Sequence, residues 1–214
     1  MSKNQSDRKL SVLVIGSIVG PIIFTFAVIV LGLIRPGYSH FMQLMSELGE
    51  VGAPNASVMN LAAVILGISI LLFAFGLHYG ISRDKGWKVG PIIMVVGGIC
   101  MMGGGIFPCD PGCVPVSFVG TIHEIVSMIG FPAVIFAPFA LSQQFKNSKV
   151  WQGYRFYSIV TGVITAILVP VYISEVLKLW NGAIQRVMLG ILLLWMEIIS
   201  IKLLRISTAR TLKA

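Results

Sequence analysis

The sequence predicts an all-α protein built into a membrane: one domain over residues 1–214, with six transmembrane helices and a short amphipathic helix in the first outer loop. Three observations carry this. The chain is 56% hydrophobic and only 11% charged, with a mean hydropathy of +0.91, a balance outside the range of soluble domains. Six charge-poor stretches, 10–34, 56–79, 89–107, 116–141, 156–174 and 183–201, are each long enough to cross a hydrocarbon core of ~30 Å at ~1.5 Å per residue. A span in lipid must satisfy its backbone internally, which makes these stretches helices. Third, thirteen of the sixteen basic residues fall on one side of a six-span layout, leaving Arg35, Lys178 and Arg186 on the other. Basic residues gather on the cytoplasmic side, so both termini are expected there, in the cell membrane. This spread also explains the net charge of +8 without nucleic acid, and no nucleic-acid partner is expected.

The first stretch follows Lys3, Arg8 and Lys9 as a signal peptide would, but its 25-residue uncharged run is too long for one and no small-x-small cleavage pattern follows. It reads as a span. Within it Gly16 and Gly20 stand four apart before Pro21, a spacing that lets helices approach closely inside the bundle.

The segment 35–60, RPGYSHFMQLMSELGEVGAPNASVMN, is a long polar interval between two spans. Phe41, Leu44, Met45 and Leu48 recur at i, i+3, i+4 and i+7, which predicts an amphipathic helix over 39–48. Ser39 is its expected N-cap and Gly49 its stop. His40, Gln43, Ser46, Glu47 and Glu50 lie on the polar side. Asn55 is placed to cap the second span.

The second span ends at His78 and Tyr79, where a solvated or snorkelling histidine is the plain reading. The third holds Cys100 as a small buried hydrophobe, then Gly103–Gly105, which permit close helix contact or a bend. In the loop Phe107–Pro115, Asp110-Pro111-Gly112 is a turn, proline presetting φ and glycine taking φ > 0. It puts Cys109 and Cys113 at the two ends of a reversal on the oxidising outer face, where a disulfide is expected.

Two turns into the fourth span stand His123 and Glu124. An ionisable group inside a span faces the bundle interior. His123 is expected to do so, because Ser127 and Gly130 share its face. Glu175 closes the fifth span and Glu197 lies in the sixth. Trp87 and Trp151 are expected at the inner membrane boundary, and Tyr38 and Trp180 at the outer one.

The polar groups of the outer side form the candidate pocket: Arg35, His40, Ser46, Glu47, Asn55, Asp110, His123 and Arg186. Four readings compete. Ser46 or Ser39 could act as a nucleophile with His123 as base and Asp110 or Glu47 as orienter, although no G-x-S-x-G turn is present. His40, Glu47, Asp110 and His123, or the cysteines with a histidine, could hold a metal. Arg35 and Arg186 could hold the phosphate of a lipid head group. Or the groups simply lock the loop onto the bundle. The favoured function is binding or reorganisation of membrane lipid through an extracytoplasmic polar pocket. A membrane-embedded hydrolase or transferase acting on a lipid head group is the alternative. No cofactor and no resident metal are assigned. Glu47 is expected near His123.

RPGYSHFMQLMSELG, APNASVMN, FPCDPG and His123 together resemble the uncharacterised membrane family known as domain of unknown function 998, over nearly the whole chain. Ser46-Glu47-Leu48-Gly49, Pro54-Asn55 and His123 are also distantly similar to motif positions of the superfamily of damage-regulated autophagy modulators and GPI-anchor lipid-remodelling proteins. That resemblance implies six spans and an association with membrane lipid. The cysteine pair departs from its pattern.

Overall fold

A computed structural model describes residues 3–82, 88–146 and 148–211. Six long helices account for most of them: α1 (Lys3–Ile34), α2 (Ala56–Leu77), α3 (Val89–Ile106), α4 (Phe118–Phe145), α5 (Gln152–Ile173) and α6 (Asn181–Thr211). All six are long and apolar enough to cross a membrane, so the protein is a multi-pass membrane protein. Arg83, Lys85, Trp87 and Lys213 lie outside the described residues, as do the side chains of Lys3, Arg8, Glu175 and Arg210.

Each helix packs on its neighbours in sequence, and α6 returns to pack on α1. The six therefore close a ring, and α2 also reaches α6, where Phe73 meets Trp195 edge-to-face at 5.8 Å. Leu66, Phe73, Leu77, Trp195, Ile199 and Leu203 fill this centre and are fully buried. Short connections make neighbouring helices antiparallel, so the α1–α2, α3–α4 and α5–α6 links gather at one end. This end is called the cap below.

Glycine sets how closely the helices approach. A Cβ on Gly67 of α2 would stand 2.6 Å from the Met102 backbone nitrogen and 2.7 Å from the Gly98 carbonyl oxygen, so α2 and α3 touch backbone to backbone there. Gly16 and Gly20 face Leu72 and Ser69 of α2. Their spacing thus serves packing within the bundle, as expected. Lipid tails offer no hydrophobic drive for helices to associate, so such contacts and interhelical hydrogen bonds hold the ring. The bonds run from Ser17 to Ser200 (2.9 Å), from the Ser69 hydroxyl to the Gly16 carbonyl (2.8 Å) and from the Trp195 indole to Ser158 (2.9 Å).

Three expectations change. The segment 39–48 does not form an amphipathic α-helix. The helical part of the loop is the 3-10 turn Ser46–Gly49, which does stop at Gly49. The reason lies in the side chains, which take the backbone groups a helix would use. Glu47 accepts from the Leu44 N–H (2.7 Å) and Gln185 of α6 from the Met45 N–H (2.8 Å). The apolar positions divide accordingly: Met45 and Leu48 are buried and Phe41 is exposed, its ring against Trp180 at 5.6 Å. Second, Trp151 stands at the helix end that opens the fifth span, but its ring faces inward rather than outward. It is buried and stacked on Phe145 at 4.7 Å. Third, Asn55 occupies the N-cap position of α2 but makes no side-chain cap bond. It takes the left-handed conformation, φ +60°, which asparagine tolerates better than most residues.

Candidate functional site

The cap is built from the 35–55 segment folded over the helix ends. Three anchors hold it. On the α6 side, the Gln43 backbone lies on Gly182, where any side chain would collide with it, and the Ala183 N–H donates to the Phe41 carbonyl (3.0 Å). On the α2 side, the Asn60 amide donates to the Gly49 carbonyl (2.9 Å). On the α3–α4 side, the Val51 N–H donates to the Cys109 carbonyl (2.9 Å).

Two groups of polar side chains sit within it. The first centres on Tyr38. The Arg35 and Arg186 guanidinium carbons both lie 5.6 Å from its ring centroid, within the range of a cation–π attraction. Arg186 donates to the Tyr38 hydroxyl, to the Gln43 carbonyl (2.8 Å) and to the Gly182 carbonyl (2.9 Å). The Tyr38 hydroxyl donates to the Leu44 carbonyl (2.8 Å). Arg35 pairs with Glu50 at 2.6 Å and donates to the Glu47 carbonyl. The His40 ring packs edge-on to Tyr38 at 5.5 Å and lies over Gly32, where a side chain would strike it. Burial, and then the nearby Arg186 charge, lower the His40 pKa below its ordinary value. Burial raises that of Tyr38.

The second group surrounds the Asp110 turn. Gly112 takes φ +68°, as the Asp-Pro-Gly sequence predicts, and the Cys113 N–H closes the turn on the Asp110 carbonyl (2.8 Å). The Asp110 carboxylate accepts from the Ser117 and Val116 N–H groups (2.7 Å each) and from the Ser117 hydroxyl (2.8 Å). Ser117 in turn caps α4 by accepting from the Gly120 N–H (3.0 Å). Those hydrogen bonds hold the Asp110 pKa below the ordinary carboxylate value. The sulfurs of Cys109 and Cys113 stand 2.11 Å apart, at disulfide distance, with α-carbons 4.9 Å apart. Cys100 is the free, buried cysteine. The Ser46 hydroxyl oxygen lies 3.2 Å from the Cys113 sulfur. His123 faces α3 rather than lipid: its Nδ1 bonds the Phe107 carbonyl (2.8 Å) and approaches the Gly104 carbonyl (3.2 Å). Val126, Gly130 and Val134 continue that face onto Gly103, Cys100 and Gly97.

Glu50 joins the groups, one carboxylate oxygen on Arg35 and the other accepting from the Gly112 N–H (2.6 Å). Of the candidate residues, Arg35, His40, Glu47 and Arg186 thus gather around Tyr38, and Ser46, Asp110 and His123 around the cysteine pair. Asn55 is exposed and contributes to neither. The expected approach of Glu47 to His123 does not occur through a hydrogen bond or ion pair among the described residues, because Glu47 is held by the Gln43 amide (2.8 Å) and the Leu44 N–H. Tyr38, Gln43, Glu50, Gln185 and Ser117 also build the site. Gln185, buried beside Arg186 at the start of an apolar run, carried a readable signal, since an isolated amide there needs a partner.

No curated protein and no solved structure matches the chain. A family model described as "Protein of unknown function (DUF998)" matches residues 18–202, most of the length, and the chain belongs to that family.

Proposed function

We propose that this is a multi-pass protein of the cell membrane with cytoplasmic termini, whose extracytoplasmic cap binds membrane lipid through its head group and so reorganises lipid around it. The observation that carries this reading is a cap guanidinium, that of Arg186, which forms no ion pair among the described residues, although Glu47 and Glu50 balance the two arginines in number. Arg35 and Arg186 share one tyrosine ring. Arg35 is paired with the Glu50 carboxylate. Arg186 spends its donors on neutral oxygens and keeps its charge, which a phosphate would complement. Exposed Phe41, Met42, Leu179 and Trp180 supply apolar surface for acyl chains beside it.

The hydrolase alternative draws less support. Ser46 and His123 share no hydrogen bond among the described residues, and Asp110 is committed to the start of α4.

Native mass spectrometry of the purified protein, released from mild detergent, tests the proposal. The wild type retains anionic phospholipid. Arg186→Gln loses most of it, while Tyr38→Phe, which loosens the same loop without removing charge, keeps it. Equal retention by wild type and Arg186→Gln, or no retention at all, contradicts the reading. Equal loss in both variants identifies a purely structural lock.

A further inference from the structure

The cysteine pair and His123 do more than close a turn. One ligand atom from each of Cys109, Cys113 and His123 lies within 4.8 Å of the other two, a spacing that small side-chain shifts close onto a single ion. Two sulfurs and an imidazole suit a thiophilic metal, Zn²⁺ or Cu⁺, and suit hard cations poorly. An independent feature points the same way. His123 Nδ1 is held on the Phe107 carbonyl at 2.8 Å, which fixes the ring and leaves Nε2 as its remaining nitrogen. Metal-binding histidines are oriented in this manner by a backbone carbonyl. The Ser46 hydroxyl, 3.2 Å from the Cys113 sulfur, is positioned to hydrogen-bond a thiolate or to supply a further ligand. Cys109 is buried, whereas Cys113 and His123 are half-exposed, so an ion has a way in.

We propose that Cys109, Cys113 and His123 form a redox-gated site for a thiophilic metal ion. In the bridged state the sulfurs are bonded to each other and the site is closed to metal. A dithiol reductant opens it: the sulfur–sulfur bond takes up two electrons and two protons, giving two thiols, while the reductant closes to its own disulfide. The incoming ion then displaces the two thiol protons and takes the two thiolates and the imidazole, leaving a coordination position for Ser46 or water. Exchange with a disulfide oxidant reverses the sequence: the two thiolates lose two electrons and re-form their bond, the oxidant takes up those electrons and two protons to become a dithiol, and the ion is expelled. The metal is thus a ligand of the reduced cap and independent of any bound lipid.

Cobalt titration of the full-length protein in detergent tests this, with Co²⁺ standing in for Zn²⁺ and reporting thiolate bonds by charge-transfer absorption. Protein reduced with a phosphine and handled without oxygen takes up one equivalent with that absorption, and Zn²⁺ displaces it. Unreduced protein and reduced protein alkylated at its thiols show none of it. Cys100→Ala behaves as the wild type. His123→Ala weakens the site by about tenfold or more, the least that loss of a ligand should cost given the 10–100-fold seen for its supporting groups. His123→Asn provides a second variant should the alanine form not fold. The absence of thiolate absorption in reduced wild type overturns the proposal. So does equal uptake by unreduced protein, or unchanged affinity in whichever His123 variant folds.

Discussion

Glu50 is the joint of the cap, and its removal gives the sharpest energetic prediction. Its carboxylate takes Arg35 Nη2 on one oxygen and the Gly112 N–H on the other, at 2.6 Å each. The paired side chains are 17% and 9% exposed, so water screens them little. Glu50→Leu strands a guanidinium and a backbone N–H together. Breaking one side of a buried pair costs ~3–5 kcal/mol, and the partial exposure of Arg35 puts this case near ~3. Arg35→Met leaves the carboxylate unpaired and frees the Glu47 carbonyl, for a loss of ~3 kcal/mol on the same grounds. The double variant removes both charges, leaves the Gly112 N–H without a partner and leaves the Glu47 carbonyl only its long bond from the Glu50 N–H (3.4 Å). At ~1–3 kcal/mol for an unmet group, the upper end for the first and the lower end for the second, its loss is ~4 in total. The coupling is therefore ~2 kcal/mol, within the range of directly interacting residues. Reversible unfolding in mixed micelles of mild detergent and dodecyl sulfate measures all four proteins. Losses that add within ~0.5 kcal/mol, as for distant sites, would refute the claim that this pair locks the cap.

Two further outcomes follow from the geometry. Gly67→Ala should destabilise by ~1–3 kcal/mol, because its Cβ meets backbone of α3 that cannot rotate away, whereas Gly190→Ala, with nothing within 4 Å, should be neutral or stabilising in the same assay. Acid should weaken the cap: the Asp110 pKa is held below its ordinary value of 3.8, so its contribution is complete above that value and is lost as the pH falls through the depressed one. A pH titration of stability below about pH 5 should flatten in Asp110→Asn, and an unchanged profile would sink the assignment.

The spans were legible because a hydrocarbon solvent leaves few alternatives: long apolar runs, the Gly16–Gly20 spacing and the Asp-Pro-Gly turn each have one cheap solution. The inward side of α4 was legible too, since Gly130 marks it. The cap was harder to read. Its periodicity at Phe41, Leu44, Met45 and Leu48 suits a helix, yet Glu47 and the distant Gln185 take the backbone bonds first. Glu47 accordingly turns back on its own loop, and Glu50, read from the sequence only as part of the polar side, is the joint. Such choices depend on partners up to 140 residues away, beyond the reach of local pattern.

Every role given to the cap presupposes that it faces away from the cytoplasm, and a single labelling measurement decides this. Cysteine is placed in intact cells at Lys178, exposed at the cap, or at Ala209, exposed near the opposite end, and a membrane-impermeant maleimide is added outside. The thirteen basic residues assigned to the other side predict labelling at position 178 and none at 209 until the cells are opened. Labelling at 209 with protection at 178 would invert the protein in its membrane and contradict the account.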